Sequence, residues 1–496
     1  MHLRTTYPQL KLIIHLAATT MDFLMLLAVL SCLLAGMAFG RGYTKRARAQ
    51  ATTHHVSDPA VAHRALIENA DQFFNRPRTS VPGSLAVWRN GERNDNIATV
   101  MYGPHLRVLR CNLTAEILSR LGSLAPLHEE AARALVADFS ALCRGGGGEV
   151  AIREPLTTAV FALATRMCFG DIVDAGHRIT MGEVIRQSIV LAGELTTSLG
   201  ASMLSKLANW RRIRRIYTLL DRQVELYLPL IAARRQSQSQ LCGNGGTVRP
   251  YIDTLLDLRV PDDGDAPAGR PLRRGELVAL VFEFLGAATG STATCVEWTL
   301  AHLIDQPEVQ DKLRCEIDGE ADAGGILSSK SLRGGMPYLN AVVQESLRMH
   351  PPVPVIVRSV HGEGAKAIGG MTAVPADGAM VVFNLGDIGR DHKTWTNPNK
   401  LQPERFLGGG EAEDIGPAPG PKEIRMMPFG AGHRHCPAVN MGMLHIKCFL
   451  AALVHEFDWT PSAAEDCSGG VDMTEQAGGF VKLMKKPLCA RVTRRT

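Results

Sequence analysis

The chain has 496 residues, 45% of them apolar, which is enough for a large core in one or two domains. A net charge of +5 is small for this length and gives no argument for a nucleic-acid partner. The 11 cysteines are odd in number and include no CxxC pair. This spacing excludes a zinc ribbon and a disulfide framework and favours reducing, cytosol-facing surroundings.

An uncharged run at residues 23–40 lies near the N-terminus and is just long enough to span a bilayer. A cleaved signal peptide is the alternative, but the run starts late and is longer than the apolar part of most signal peptides. We therefore predict a single transmembrane helix at residues 21–40. Basic residues such as Arg41 and Lys45 follow it, so the positive-inside rule places the rest of the chain in the cytosol.

Residues 41–57 are polar and predict a linker, which leaves residues 58–496 as the folded domain. Helical apolar patterns dominate this domain, and the expected fold class is mainly α with small β-sheets. The longest predicted helices cover residues 60–74, 127–142, 156–169, 210–235, 277–303, 337–350 and 439–454, and short strands are predicted at residues 353–360 and 379–385.

The predicted helix at residues 277–303 has an unusually small centre between Gly286 and Thr292. A glycine inside a helix costs about 1 kcal/mol relative to alanine, so Gly286 and Gly290 indicate a kink or a flat partner packed against the helix. Close packing of a neighbouring helix is the alternative explanation.

The helix at residues 337–350 ends at a double proline and carries Glu345 and Arg348 one turn apart, where they can pair. Taken alone, this spacing predicts no more than a surface ion pair worth well under ~1 kcal/mol. A further arginine, Arg405, follows in a turn.

A glycine-rich stretch at residues 428–438 holds Cys436 and leads into a predicted buried helix. Gly430 and Gly432 allow positive φ and a close approach of backbone to a flat partner. Arg434 and two neighbouring histidines make the surroundings electropositive, which favours a thiolate. A thiolate on such a loop is what an axial ligand of haem iron requires, whereas a turn with an incidental buried cysteine is the alternative.

In this order, the features resemble the cytochrome P450 superfamily of haem-thiolate monooxygenases, from about Asp58 to the C-terminus. Three motifs carry the resemblance: Glu345-x-x-Arg348, Pro403-Glu404-Arg405-Phe406 and Phe429-x-x-Gly432-x-Arg434-x-Cys436. Segments such as Glu283-Phe284-Leu285 and His455-Glu456-Phe457 are most similar to plant microsomal enzymes of family 77. That family is associated with epoxidation or in-chain hydroxylation of fatty acids in cutin formation.

The resemblance implies haem b as cofactor, O2 as co-substrate and electrons from NADPH through NADPH-cytochrome P450 reductase. It implies that Cys436 is the metal ligand, the proximal thiolate that favours O–O cleavage. The other implied roles fall into four groups: propionate partners Arg434, Arg110 and Arg358; loop-shaping residues Phe429 and Gly432; a buried network of Glu345, Arg348 and Arg405; and catalytic hydroxyls on Ser291 and Thr292.

The chain departs from the family pattern at several positions. Gly290 and Ser291 stand where an acid and a threonine usually relay protons, which predicts weaker or poorly coupled oxygen activation. Leu106 stands where a tryptophan is expected, and Ala438 where a glycine is expected. Residues 41–57 are too short for the usual hinge and two strands, so the N-terminal sheet is predicted to be truncated.

The function expected is a monooxygenase anchored in the endoplasmic reticulum membrane, with its catalytic domain in the cytosol. It would insert one oxygen atom of O2 into a lipophilic substrate, by fatty-acid hydroxylation or epoxidation. The reductase is expected to dock near Lys422, Arg425, His433 and Lys447. A haem-thiolate isomerase or dehydratase of oxidised lipids, and a catalytically impaired haem-binding remnant, are the alternatives.

Overall fold

The computed structural model describes residues 53–77, 88–89, 92–145, 148–198, 203–240, 249–261, 269–321, 327–362, 379–463 and 470–495. The predicted membrane anchor at residues 21–40 and most of the predicted linker lie outside these ranges. Residues His54–Thr496 form one compact unit.

Helices make up most of the described chain, as the apolar periodicity predicts. In chain order they are α1 (Pro59–His63), α2 (Pro104–Leu113), α3 (Ala125–Gly145), α4 (Arg153–Phe169), α5 (Ala175–Ser198), α6 (Met203–Ala208), α7 (Trp210–Gln240), α8 (Tyr251–Asp257), α9 (Arg274–Asp305), α10 (Pro307–Glu320), α11 (Ser329–Gly334), α12 (Pro337–Met349), α13 (Leu385–Gly389) and α14 (Val439–Glu456). Short π-helical turns at Arg64–Glu68 and Thr114–Leu118 continue α1 and α2.

The strands form small sheets. They are β1 (Thr53–Val56), β2 (Trp88–Arg89), β3 (Glu92–Arg93), β4 (Glu149–Ala151), β5 (Arg259–Val260), β6 (Arg270–Pro271), β7 (Val355–Ser359), β8 (Met380–Asn384), β9 (Phe457–Pro461) and β10 (Cys489–Arg494). Two sheets have three strands, in the orders β1-β8-β7 and β4-β10-β9, and β2-β3 and β5-β6 are two-stranded. The predicted class, mainly α with small β-sheets, is confirmed.

The structure corrects the C-terminal boundary of the linker predicted at residues 41–57. Residues Thr53–Val56 form β1, and Val56 is buried in the same cluster as Phe383 of β8. The sequence reasoning took this segment for linker because it is short and mostly polar, although only Val56 needs to be buried. Asp58 then caps α1 by accepting from the N–H groups of Ala60 and Val61. The residues before Thr53 lie outside the description, so a truncated N-terminal sheet stays a prediction.

The centre of the fold is α9, which packs against α4, α7, α12 and α14. Every residue from Thr292 to Ile304 is buried. Among the described residues, α9 is the one helix long and apolar enough to cross a membrane. Because its C-terminal half is covered by protein on all sides, we assign it to the core.

The loop that carries Cys436 runs between two apolar clusters. Met427 and Ala431 belong to a smaller cluster with β1, α1 and β8, whereas α14, which follows the loop, lies in the main core. Both ends of the loop are therefore fixed by packing, which positions the candidate site.

Candidate functional site

Cys436 lies on a tight turn that leads directly into α14. Its backbone N–H donates to the carbonyl oxygen of Phe429 at 2.8 Å, which closes the turn. On the other side, the N–H of Ala438 points at the thiol, with 3.4 Å between that nitrogen and Sγ of Cys436. Pro437 between them has no N–H to offer. The sulfur is thus fixed by the backbone and receives one backbone donor, a contact that tunes a metal-binding thiolate.

The residues expected to shape this loop have well-defined surroundings, and their role toward a haem stays a prediction. Gly432 has φ +70°, and the carbonyl oxygen of Leu66 occupies the place where a Cβ atom would lie. The ring of Phe429 lies against α14 at Gly442. Ala438 has φ −99°, a conformation open to any residue, so its methyl group does not strain the entry into the helix.

The expectation that electropositive surroundings favour a thiolate is not met by the protein alone. Burial raises the pKa of the Cys436 thiol, and the Ala438 N–H and the positive charge of Arg110 offset this only in part. His433 is instead paired with Asp71, at 2.8 Å between Nε2 and Oδ1. A bound metal ion deprotonates a coordinating thiol outright, so iron itself would produce the thiolate.

Four arginines gather near this loop and form what we call the arginine cluster: Arg76, Arg110, Arg358 and Arg434. Arg110 donates to the carbonyl oxygen of His435 at 3.0 Å, and Arg358 donates to that of Ala431 at 3.4 Å. Within the described residues, none of the four forms an ion pair with a carboxylate. Sequence reasoning named three of them and missed Arg76.

Arg434 is the most fully bonded member of the cluster. Its guanidinium donates to the carbonyl oxygens of Phe74 at 3.0 Å, Ile97 at 3.1 Å and Val100 at 2.6 Å, and to Oδ1 of Asn75 at 3.4 Å. These acceptors are neutral, so the bonds orient the positive charge without cancelling it. A propionate contact for Arg434 stays a prediction, with few N–H groups left to make it.

The cluster concentrates positive charge in a buried place. Burial, together with the positive charge of Arg76, lowers the pKa of Arg358 to about 9 and that of Arg434 to about 10. Arg76 is exposed and Cys436 is partly exposed although both lie deep in the protein, which indicates that they face an internal space. A flat group with two carboxylates would supply the missing negative charge, so these residues fit haem.

The N-terminal half of α9 presents a second part of this internal space. Ala287 is exposed, and Glu283, Gly290 and Ser291 are partly exposed; we call these four residues the exposed stripe of α9. Their spacing places them on one helix face. Ser291 Oγ donates to the carbonyl oxygen of Ala287 at 2.8 Å. Thr292 is buried, and its catalytic role stays a prediction.

The two glycines at the centre of α9, Gly286 and Gly290, are not required by a close helix–helix contact. A Cβ atom on Gly286 would lie 3.7 Å from side-chain atoms of Ile185 and Ile189, and one on Gly290 would lie 3.7 Å from Val481. These are ordinary van der Waals distances to flexible side chains. The alternative of close helix packing is therefore disfavoured, and a flat partner on the exposed stripe explains the small residues better.

One backbone segment joins the exposed stripe to the cysteine loop. Ile97 donates its N–H to Glu283 of α9 at 2.9 Å and accepts from Arg434 of the cysteine loop at its carbonyl oxygen. Ala98 donates to the other carboxylate oxygen of Glu283 at 2.7 Å. Sequence reasoning used Glu283 only as part of a motif and assigned it no role, because nothing in the sequence indicates a contact across 186 positions.

The structure brings Glu345, Arg348 and Arg405 together as the resemblance implies. Glu345 accepts from Arg348 at 2.7 and 2.8 Å and from Arg405 Nε at 3.1 Å. The side chains of Glu345 and Arg348 are 0% exposed. The guanidinium of Arg348 also lies over the ring of Trp395, 5.0 Å from its centroid. The simple surface ion pair is thereby excluded, and the network fixes α12 to the segment before the cysteine loop.

The predicted reductase surface needs correction at one position. Lys447 is buried in α14, where desolvation lowers its pKa. Arg425 is partly exposed; it donates to the carbonyl oxygen of Thr394 at 2.8 Å and lies over Trp395, and these neutral partners hold it in place without cancelling its charge. Lys422 is exposed and His433 is partly exposed, so docking of a reductase near these residues stays a prediction.

Comparison with known proteins agrees with this site. The model of the cytochrome P450 family matches residues 46–484. Cytochrome P450 89A9 of Arabidopsis thaliana is 32% identical over 444 residues, covering 88% of this chain and 83% of that protein. Cytochrome P450 78A1 of Zea mays is 30% identical, covering 79% of this chain and 70% of its own. 2-Hydroxyisoflavanone synthase of Glycyrrhiza uralensis is 27% identical, covering 81% and 76%.

The two numbered relatives bear family numbers other than 77, so the likeness to family 77 stays a prediction. The cysteine loop, the arginine cluster and the buried network occur together in a chain that the family model covers almost completely. The chain belongs to the cytochrome P450 family of monooxygenases, which use haem iron, O2 and electrons from a nicotinamide cofactor delivered through a reductase.

Proposed function

We propose that this monooxygenase is anchored in the endoplasmic reticulum membrane, faces the cytosol and oxidises a lipophilic substrate, with a fatty acid as the favoured class. The reaction would be hydroxylation or epoxidation within the acyl chain. The observation that carries the proposal is the apolar lining beside the exposed stripe of α9. When bound, haem supplies the oxygen chemistry, held by Cys436 and the arginine cluster.

The lining comes from two other elements. Ile185 and Ile189 of α5 face Gly286, and Val481 faces Gly290. Val481 belongs to a hairpin at residues 474–485, which we call the Glu475 hairpin, and whose strands meet at Glu475 and Met484. Aliphatic side chains on both sides of a small-residue helix favour an extended apolar chain over a polar substrate.

The tip of the Glu475 hairpin lies directly against α5. A Cβ atom on Gly193 would come within 3.0 Å of Gly479 Cα and of the backbone nitrogen of Phe480. Phe480 itself is 55% exposed. An exposed phenylalanine at a tip held this closely is well placed to contact a lipophilic substrate that enters between α5 and α9.

The site lacks an acidic side chain at the position where the family usually has its proton donor. Ser291 keeps a hydroxyl on the exposed stripe, but Gly290 supplies no acid. We therefore propose that oxygen activation leaks peroxide when no other acid is available. A reaction that needs neither reductase nor this proton relay, such as isomerisation or dehydration of an oxidised lipid, is the second candidate, and Gly290 is the observation that favours it.

The test uses the full chain with its reductase and NADPH. Saturated fatty acids of graded length should shift the haem absorption on binding and yield monooxygenated products. Val481→Asp should weaken binding at least about ten-fold, because a charge would enter the apolar lining. Val190→Asp is the matched control, since Val190 of α5 is 51% exposed.

Two results would change the proposal. Turnover of a lipid hydroperoxide without reductase, with no oxidation of the parent acid, would support the second candidate. Binding of phenolic compounds with no response to any fatty acid, at equal haem content, would exclude the fatty-acid class.

A further inference from the structure

Glu283 is the one acidic residue on the exposed stripe of α9. It lies seven residues before Gly290 and eight before Ser291, so two helical turns bring all three to the same face. Ala287 lies one turn from Glu283 and one turn from Ser291, and its small side chain is exposed. The axial distance from Glu283 to Ser291 is about 12 Å at the usual helical rise. A short chain of water molecules along Ala287 can bridge it.

The carboxylate of Glu283 is held in place without being neutralised by a direct ion pair among the described residues. Its oxygens accept from the N–H groups of Ile97 and Ala98, at 2.9 and 2.7 Å. The charged or titratable groups that face it are Arg76, Arg434 and Tyr251 of α8. Burial raises the pKa of Glu283 to about 7, although the two N–H donors and the arginines act against it.

We propose that Glu283 takes the place of the acid that Gly290 lacks and delivers protons along the exposed stripe to the hydroxyl of Ser291. This inference rests on the proposed oxygen chemistry. Each turnover consumes O2, two electrons from the reductase and two protons, and it releases one water while one oxygen atom enters the substrate. The O–H bond of Glu283 breaks as its proton passes to an adjacent water, and the carboxylate is reprotonated from bulk solvent.

A purely structural role for Glu283 is the rival explanation, because its bonds to Ile97 and Ala98 also fix that segment. The two explanations differ in what a second acid can repair. A carboxylate at position 290 lies next to Ser291 and can donate protons there, but it cannot replace the bonds to Ile97 and Ala98. The position has room, since a Cβ atom would meet Val481 only at 3.7 Å.

The experiment compares wild type, Glu283→Gln, Glu283→Gln/Gly290→Asp and Gly290→Asp, each as haem-loaded full chain with reductase. Glu283→Gln should lower substrate oxidation roughly ten-fold or more and raise the peroxide formed per NADPH. The added Gly290→Asp should restore coupling, which is the fraction of NADPH used for substrate oxidation and not for peroxide formation. Glu276→Gln is the matched control: Glu276 is a buried carboxylate of the same helix that pairs with Arg270, so its loss should lower stability without changing peroxide leakage.

Two further readouts separate the explanations. Coupling in wild type should fall as pH rises through about 7, because Glu283 then stays ionised, whereas the profile of Gly290→Asp should no longer follow that titration. In resting protein, without turnover, the infrared band of a protonated carboxyl should disappear over the same pH range and be missing in Glu283→Gln.

Unchanged coupling in Glu283→Gln, or failure of Gly290→Asp to restore it, would overturn the proposal. If Glu283→Gln does not retain haem, the pH profile of coupling in Gly290→Asp is the deciding measurement. A profile identical to that of wild type would overturn the proposal. Oxidation of an unexpected substrate with the predicted coupling pattern would contradict the fatty-acid proposal but support the role of Glu283.

Discussion

Gly432 and Leu66 lie so close that a Cβ atom on Gly432 would stand 2.5 Å from the carbonyl oxygen of Leu66. Gly430, two residues earlier, has a similar φ of +73°, but a Cβ atom there would meet nothing nearer than 3.9 Å. The cysteine loop thus holds two glycines with nearly the same positive φ and different surroundings. At position 432, glycine is required both by the positive φ and by the nearby Leu66 carbonyl. At position 430 it is required by the positive φ alone.

This difference gives a matched pair of substitutions. Gly430→Ala should cost about 1–2 kcal/mol, the usual penalty for a left-handed conformation with a side chain. Gly432→Ala adds a backbone collision, so it should cost roughly 2–4 kcal/mol and reduce haem retention. Urea unfolding and haem content of the two variants measure the effect. Equal losses in both would show that the Leu66 contact is unimportant.

Removal of Glu345 should destabilise the fold strongly. Glu345→Gln leaves Arg348 and Arg405 buried without their shared carboxylate, and breaking such a network typically costs ~3–5 kcal/mol. Lys312→Gln is the control, because the Lys312–Glu404 pair is exposed at 59% and 52% and should be worth under ~1 kcal/mol. The free energy of unfolding measures both, and a loss in Glu345→Gln no larger than the control would contradict the buried network.

Glu475 should tie its hairpin to the core in a pH-dependent way. It accepts from His350 at 3.2 Å, Arg390 at 3.1 Å and Lys482 at 2.8 Å. Burial raises the pKa of Glu475, but these donors outweigh it and hold the pKa well below its usual range. Because the folded value lies below the unfolded one, the tie stabilises the hairpin above about pH 4.3 and is lost as pH falls towards the folded pKa.

Hydrogen exchange of hairpin amides tests this tie. Gln476 and Lys485 donate across the hairpin, each at 2.8 Å. Their exchange should speed up about ten-fold in Glu475→Gln at neutral pH, and the difference from wild type should shrink in acid. Lys486→Gln removes an ion pair with Asp472 just outside the hairpin and should change little. Identical exchange in wild type and Glu475→Gln at neutral pH would rule out the tie.

An acid restored at position 290 should improve coupling. Gly290→Asp should fold normally, since its Cβ atom has ordinary contact distances, and should lower the peroxide formed per NADPH by about two-fold or more. Gly290→Asn is nearly isosteric but cannot donate a proton in the same way, so it should leave peroxide leakage at the wild-type level. The idea fails if both variants behave alike.

Sequence patterns predicted most of the helical framework and the residues of the three motifs. Local periodicity is sufficient for α9, α12 and α14, because a helix is built from contacts three and four residues apart. The network of Glu345, Arg348 and Arg405 followed from the resemblance, since the spacing alone indicated only a surface pair. The strand β1 was missed because a short strand with one buried side chain has no clear alternation.

Other features depend on contacts distant in sequence and had no local signal. Arg76 joins the arginine cluster, and Glu283 reaches Ile97 and Ala98, only once the chain is folded. Lys447 was expected near the reductase surface but is buried in α14, which is rare for a lysine. The thiolate of Cys436 was attributed to neighbouring charges, but the structure shows that burial has the larger effect on its pKa.

The most direct test of the account is the absorption spectrum of the reduced, carbon monoxide-bound protein. The account predicts the red-shifted band of thiolate-ligated haem in wild type and in Cys448→Ala, whose cysteine is buried in α14. The band should be lost in Cys436→Ala. A wild-type protein that binds haem without this band, or a band that survives in Cys436→Ala, would contradict the assignment of Cys436 as the iron ligand.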